Sequence, residues 1–210
     1  MENFNCMKQN YQLLMEEQLK NLTPGASLLL HSCCAPCSSA CLQRLKDHFK
    51  ITVLYYNPNI DNPLEYEKRK AEQIRLLKET GWADFLDCDH DKDAFLNVAK
   101  GLEDAPERGK RCYLCYKLRL SYTAKTAKEH GFDYFGTTLT LSPYKNADWL
   151  NEIGQNLATR YAVNYLFSDF KKKGGYLQSI QLSKEYNLYR QDYCGCVYSK
   201  KERENQNKEL

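Results

Sequence analysis

Ser27-Leu28-Leu29-Leu30-His31-Ser32-Cys33-Cys34-Ala35-Pro36-Cys37 is the stretch that decides the fold. Its first five residues are short and mostly apolar, the pattern of a strand covered on both faces by helices. Three thiols follow at once, at the carboxyl end of that strand, where a doubly wound fold opens its ligand crevice. A helix is expected from about Ser38 to His48, with Cys41, Leu42 and Leu45 turned inward.

The same alternation extends outward in both directions. Upstream, residues 5–22 read as a helix with Tyr11, Leu14, Met15, Leu19 and Leu22 on one stripe, ended by Thr23-Pro24-Gly25. Downstream, Ile51 to Tyr56 is a strand ended by Asn57-Pro58-Asn59. Asn62-Pro63-Leu64-Glu65 then fits a helix start, with Asn as N-cap, Pro at the first position and Glu at the third. That helix runs to Thr80, with Gly81 as its C-cap. Asp84 to Asp87 is a weaker strand, and helical segments flank the polar loop Glu103 to Gly109. A strand at Tyr134–Leu139, a helix at Asn146–Tyr161, a strand at Asn164–Phe167 and a helix at Gly174–Tyr186 complete the series. Repeated β–α units joined by short loops predict an α/β, doubly wound, mostly parallel sheet with helices on both faces. The expected organisation is an N-terminal helix (1–24), a single α/β domain (25–199) and a flexible, charged tail (200–210), with no internal repeat.

Composition sets the outer limits. The chain has 210 residues, 42% hydrophobic and 27% charged, enough to bury a core and too apolar for wholesale disorder. Thirty Lys and Arg against 27 Asp and Glu give +3, a mild excess that does not by itself indicate a nucleic-acid binder. No apolar run reaches the ~18 residues needed to span a membrane. The first twenty residues carry acids where a secretory signal has its apolar stretch, so a cytoplasmic chain is expected.

In that reducing compartment ten cysteines point to metal or redox chemistry rather than a disulfide framework. Seven fall in three tight groups: Cys33, Cys34 and Cys37; Cys112 and Cys115; Cys194 and Cys196. Cys6, Cys41 and Cys88 stand apart and read as small, half-buried hydrophobes. Cys37 sits at a helix start, whose amides favour a thiolate. Cys112 and Cys115, three apart on a helix, share one face with Leu118 and Tyr122. Cys194-Gly195-Cys196 has two readings: a strained, labile disulfide suited to electron transfer, or two metal ligands. C-x-x-C with the adjacent pair makes four thiolates, enough for an iron–sulfur cluster and equally for zinc.

With these residues in place the chain closely resembles the QueH-type epoxyqueuosine reductases. The resemblance spans Leu28 to Ser199. It rests on His31–Cys37, Tyr55–Ile60, Glu65-Tyr66, Cys112–Leu120, Thr137–Lys145, Asp169–Tyr176 and Tyr189–Cys196, with no departure at a thiol position. It implies the last step of queuosine biosynthesis: the epoxide oxygen of epoxyqueuosine, at the wobble position of tRNA, is removed reductively without cobalamin. It implies a 4Fe–4S cluster held by Cys33, Cys34, Cys112 and Cys115, a redox-active, catalytic pair in Cys194 and Cys196, and an electron donor the sequence does not identify. It also admits a second metal beside the cluster, a mononuclear iron or another ion, held by Cys37 with Cys194 and Cys196.

Removing an epoxide oxygen takes two electrons and two protons and releases water. Asp192, Tyr193 and Tyr144 are the candidate proton donors. Lys110-Arg111, Lys117, Arg119, Lys145, Lys171-Lys172-Lys173 and Arg190 lie near the motifs and would track phosphates if they converge on one rim, whereas Lys68-Arg69-Lys70 reads as an ordinary helix face. Two other classes compete. One is a nucleic-acid-binding module built on structural zinc. The other is an ATP-dependent tRNA-thiolating enzyme, against which Cys33-Cys34-Ala35-Pro36-Cys37 stands where ATP needs a Gly/Ser-rich cradle.

Overall fold

The computed structural model describes residues 9–208. Its elements run α1 (Tyr11–Lys20), β1 (Ser27–His31), α2 (Ala35–Leu45), β2 (Lys50–Leu54), α3 (Pro63–Thr80), β3 (Asp84–Leu86), α4 (Lys92–Ala99), α5 (Lys110–Glu129), β4 (Tyr134–Thr137), α6 (Ala147–Tyr161), β5 (Asn164–Tyr165), α7 (Gly175–Glu185) and α8 (Val197–Lys208). The five strands form one sheet in the order β3-β2-β1-β4-β5, and every pairing is parallel. The chain leaves β1 for β2 on one side and returns after β3 to β4 on the other, so the strand order reverses between β1 and β4. That switch point is where a doubly wound sheet opens its crevice.

β1 shows why the sheet is covered twice. Leu28 and Leu30 pack with Met15 of α1, Leu42 of α2 and Leu182 of α7, whereas Leu29 packs with Leu120 of α5 and Leu150 of α6. Alternate side chains of a strand point to opposite faces, so three successive leucines serve two cores. His31 ends the strand fully buried. Among the described residues no helix is long and apolar enough to cross a membrane.

Several boundaries differ from the sequence expectation, each for a local reason. Asn10 caps α1, its Oδ1 accepting from the Gln12 and Leu13 amides, so that helix begins at Tyr11. Residues 5–8 of the expected helix, and Cys6 with them, lie outside the described residues. α2 starts at Ala35, three residues before Ser38, because Pro36 fits a first turn whose N–H groups have no partner in the helix. β4 stops at Thr137, whose hydroxyl accepts from the Leu139 amide and turns Thr138–Leu141 into a 3-10 segment. The region expected as a flexible tail is helical through Lys208. Glu202 of α8 accepts from the Glu107 amide at 3.0 Å and pairs with Arg111 at 3.5 Å, which fastens α8 to the body of the domain. Residues 209 and 210 lie outside the described set.

Gly154 in α6 faces the ring of Tyr165 in β5 so closely that an added Cβ would overlap the ring carbons. Alanine is the better helix former by about 1 kcal/mol, yet overpacking a core costs about 1–3 kcal/mol. Gly154→Ala is therefore expected to lower the denaturant midpoint, and pairing it with Tyr165→Leu should recover part of the loss. A raised midpoint in the single variant would show that the ring swings aside freely.

Candidate metal centre and its cleft

The first thiol group occupies the turn from β1 into α2. Cys34 is the N-cap residue, in extended backbone (φ −175°, ψ 158°), and its carbonyl accepts from the Ser38 amide at 3.0 Å. The turn is tied on several sides. Asn57 Nδ2 donates to the Ser32 carbonyl at 2.9 Å, and Gln73 Oε1 accepts from both Ser32 and Ser38 hydroxyls at 2.7 Å. The result is that the sulfurs of Cys33, Cys34 and Cys37 all lie within 4.8 Å of one another, with Cys33 and Cys34 at 3.8 Å. Thiolates 2.3 Å from one tetrahedral ion would be spaced by about 3.8 Å. Hydrogen bonds from the Cys34 and Cys37 thiols, then the charges of Lys145 and Arg119, hold Cys33 well below the ordinary thiol pKa, while that same sharing pushes Cys34 up to about 12.

The second group opens α5. Gly109 caps this helix without a side chain, and the Arg108 amide donates to Cys112 Sγ at 3.3 Å. Burial raises Cys112 to about 11 and Cys115 to about 12. The third group precedes α8. Gly195 has φ +115°, and a Cβ there would meet Ile60 Cγ1 at 2.9 Å and an Arg69 nitrogen at 3.2 Å, so both conformation and space require glycine. Cys194 and Cys196 are free thiols. The Ser199 amide donates to Cys196 Sγ at 3.4 Å.

All seven grouped thiols border two adjoining spaces. Cys33, Cys34, Cys37 and Cys194 line an open cleft of about 530 Å³. Cys112, Cys115, Cys194 and Cys196 line an inner cavity of about 20 Å³, room for one water-sized occupant. Cys194 and Lys145 belong to both. The four thiols expected to share a cluster thus come from two walls, and among the described residues only the Cys33 group is tight enough for a single ion. Cys41 is buried in the core and Cys88 is half-buried away from both spaces, as small apolar residues would be. The candidate proton donors Asp192, Tyr193 and Tyr144 all line the cleft.

Beneath the thiols lies Arg119 of α5, 1% exposed. Its Nε donates to His31 Nε2 at 3.2 Å, and a terminal nitrogen donates to Asn57 Oδ1. His31 Nδ1 lies 3.0 Å from Thr137 Oγ1, and burial followed by the Arg119 charge lowers the imidazole pKa to about 3, so the ring is neutral. The negative groups that favour the Arg119 charge are Cys115, Cys194 and Cys33, and Lys145 faces Cys194 and Cys33 likewise. A buried guanidinium needs compensating charge; Cys33, held low, supplies some of it, and Cys115 would add more once a metal displaced its proton. That donor chemistry fits an iron–sulfur cluster or a thiolate-bound ion, both of which keep cysteines deprotonated.

The basic residues do not form the single phosphate-tracking rim that their motifs suggested. Arg111 and Arg119 are buried, and Arg111 spends its donors on the carbonyls of Leu102, Glu103 and Ala105. Lys171 pairs with Asp169 at 2.6 Å and Lys173 pairs with Glu16, leaving Lys172 exposed. Lys145, Arg108 and Arg190 do line the cleft. Arg69, expected on an ordinary helix face, is 2% exposed. It donates to Glu65 at 2.6 Å and to the Cys194 carbonyl at 3.3 Å, and its guanidinium lies 4.9 Å from the Tyr193 ring centre. The available signal was Glu65 one turn before Arg69; nothing local showed that residues 193–195 return to cover both. Removing one partner of a buried pair costs about 3–5 kcal/mol, so Arg69→Met should lose about 3 kcal/mol by denaturant unfolding of the reduced apoprotein. Lys125→Met, at an exposed pair with Glu129, should lose under ~1 kcal/mol. Equal losses would mean that Arg69 does not anchor the Cys194 segment.

The chain is similar to proteins of one named family. A family model described as "Epoxyqueuosine reductase QueH" matches residues 28–202. A Staphylococcus epidermidis protein named epoxyqueuosine reductase QueH is 44% identical over 179 residues, covering 82% of this chain and 75% of its own length. A Streptococcus pyogenes protein of the same name is 41% identical over 202 residues, covering 92% and 79%. One from Thermotoga maritima is 34% identical over 188 residues, covering 88% and 95%. The chain belongs to the epoxyqueuosine reductase QueH family.

Proposed function

We propose that this protein reduces epoxyqueuosine in tRNA to queuosine, at a thiolate-held metal centre on the carboxyl edge of the sheet. The observation that carries this reading is the convergence of all seven grouped thiols, from three separate chain segments, on one open cleft and the cavity behind it. A structural zinc module would need four ligands and no such cleft. In this reading Cys33, Cys34, Cys112 and Cys115 hold a 4Fe–4S cluster, which when bound supplies electrons to the reaction. Cys37, Cys194 and Cys196 stand beside it, as ligands of a second ion or, for the last two, as a dithiol. Closing that dithiol would release two electrons and two protons, the balance needed to turn an epoxide into an alkene and water. An external donor then restores the thiols, in the cytoplasm where reduced cysteines persist.

The remaining residues bind and orient. The cleft admits a base taken out of the anticodon stack, as single-stranded RNA readers require. Burial raises the Tyr193 pKa, so its phenol keeps a proton at the cleft wall for the departing oxygen. The Asp192 carboxylate lies 3.8 Å from Arg203 on the same wall. The catalytic unit includes α8, since Ser199, Glu202, Arg203 and Gln206 line the cleft.

A second reading of the ligands has its own support, because Cys112, Cys115, Cys194 and Cys196 together line the inner cavity. Counts of iron, sulfide and zinc on protein prepared without oxygen separate the two. In the first reading Cys112→Ala and Cys115→Ala lose cluster iron and sulfide, while Cys194→Ser and Cys196→Ser keep the sulfide and lose turnover, along with about one metal ion if they ligate one. In the second, all four variants lose sulfide. Wild-type protein that binds zinc without sulfide and leaves epoxyqueuosine tRNA unchanged would overturn the proposal.

A further inference from the structure

A second cavity, of about 520 Å³, lies beside the thiol cleft and contains no cysteine; Tyr11, Asn146, Lys171 and Lys172 are among its lining residues. Arg108, Pro143 and Lys145 line both spaces, so they form the ridge between them. Each space is within the size range of a pocket for one nucleotide-sized ligand. On the ridge stands Tyr144, 63% exposed. Large aromatic side chains are normally covered, and this one is held outward rather than left loose. The Arg108 guanidinium lies 5.5 Å from its ring centre and donates to the Tyr144 carbonyl at 3.2 Å and to the Pro143 carbonyl at 3.0 Å. Arg108 itself takes φ +69°, a conformation unusual for a residue with a Cβ, and its amide meets Cys112 Sγ at 3.3 Å.

The charge around the second cavity suits a backbone of phosphates. Arg108, Lys145, Lys171 and Lys172 stand against Asp148 and Asp169, a balance of +2, and Asp169 is already paired with Lys171. Lys172 is exposed and has no ion-pair partner among the described residues. An exposed aromatic ring backed by a guanidinium, with cations on either side, is the chemistry that receives an unstacked base of single-stranded RNA.

We propose that Tyr144, positioned by Arg108, is the stacking seat for a nucleobase that flanks the reacting one, with the RNA strand crossing the ridge from the thiol cleft into the second cavity past Lys145 and Lys172. This rests on the reading of the cleft as the epoxyqueuosine site and adds how the neighbouring nucleotide is held. It explains why an exposed tyrosine lies next to a redox centre that it does not ligate, and why Arg108 joins the ridge to Cys112.

The test is direct binding of an unmodified anticodon stem-loop to the full chain, metal-loaded without oxygen, so that it does not depend on turnover. Stem-loops with an abasic site on the 5′ or the 3′ side of the wobble position are measured alongside. Tyr144→Ala should weaken binding of the intact stem-loop about tenfold, with iron and sulfide content unchanged, and Tyr144→Phe and Tyr144→Trp should restore it. One of the two abasic stem-loops should bind wild type about tenfold more weakly and lose nothing further in Tyr144→Ala, which is the coupling expected of a single contact. Additive losses at both positions, or an intact stem-loop that binds Tyr144→Ala as it binds wild type, would overturn the seat. Failure of epoxyqueuosine reduction with the coupling intact would overturn the activity and leave the seat standing.

Discussion

The guanidinium of Arg119 is the constraint around which the site is organised. It cannot give up its proton, and it is buried under the thiols, donating to the neutral acceptors His31 Nε2 and Asn57 Oδ1 and facing the sulfur of Cys115. A buried cation without an anion is costly. The groups positioned to supply negative charge are the sulfurs of Cys115, Cys194 and Cys33. The same interaction that makes Arg119 tolerable therefore favours thiolates, the form that binds metal. Lys145, facing Cys194 and Cys33, repeats the arrangement.

The fold delivers these groups to one place by a general rule and several particular devices. The rule is the switch point between β1 and β4, which leaves an opening at the carboxyl edge of the sheet. The helices α2 and α5 both begin there, and helix N-termini favour anions. The devices are polar ties across the sheet edge. Asn57 after β2 holds the Ser32 carbonyl and Arg119 together, and Gln73 of α3 holds Ser32 and Ser38. Arg69 and Glu65 of α3 fasten the segment that carries Cys194. The thiols are thus held by elements on both faces of the sheet.

The fold class, the seven-thiol inventory and the location of the first group were legible in the sequence because each depends on local pattern. Leu28-Leu29-Leu30 marks a doubly covered strand without reference to anything distant. Asn62, Pro63 and Gly81 mark both ends of α3 through backbone hydrogen bonding within a few residues, and the helix has those ends. The relatedness of the chain was legible for the same reason, since the thiol motifs are short and contiguous.

The rest needed tertiary structure, because it depends on which distant residues meet. Charge alone cannot separate Arg69, Arg111 and Arg119 from surface cations; only the path of residues 193–195, the carbonyls of 102–105 and the floor of the cleft reveal them as internal. Residues 200–208 are charged enough to read as a loose tail, yet the Glu107 amide and Arg111 give Glu202 partners nearly a hundred residues away. Spacing within the sequence likewise could not divide the thiols between an outer group and an inner cavity, with Cys194 at the boundary. Local pattern determined the elements and the chemistry on offer; the partners of each buried charge were set by long-range packing, because compensation depends on distance in space and not on distance along the chain.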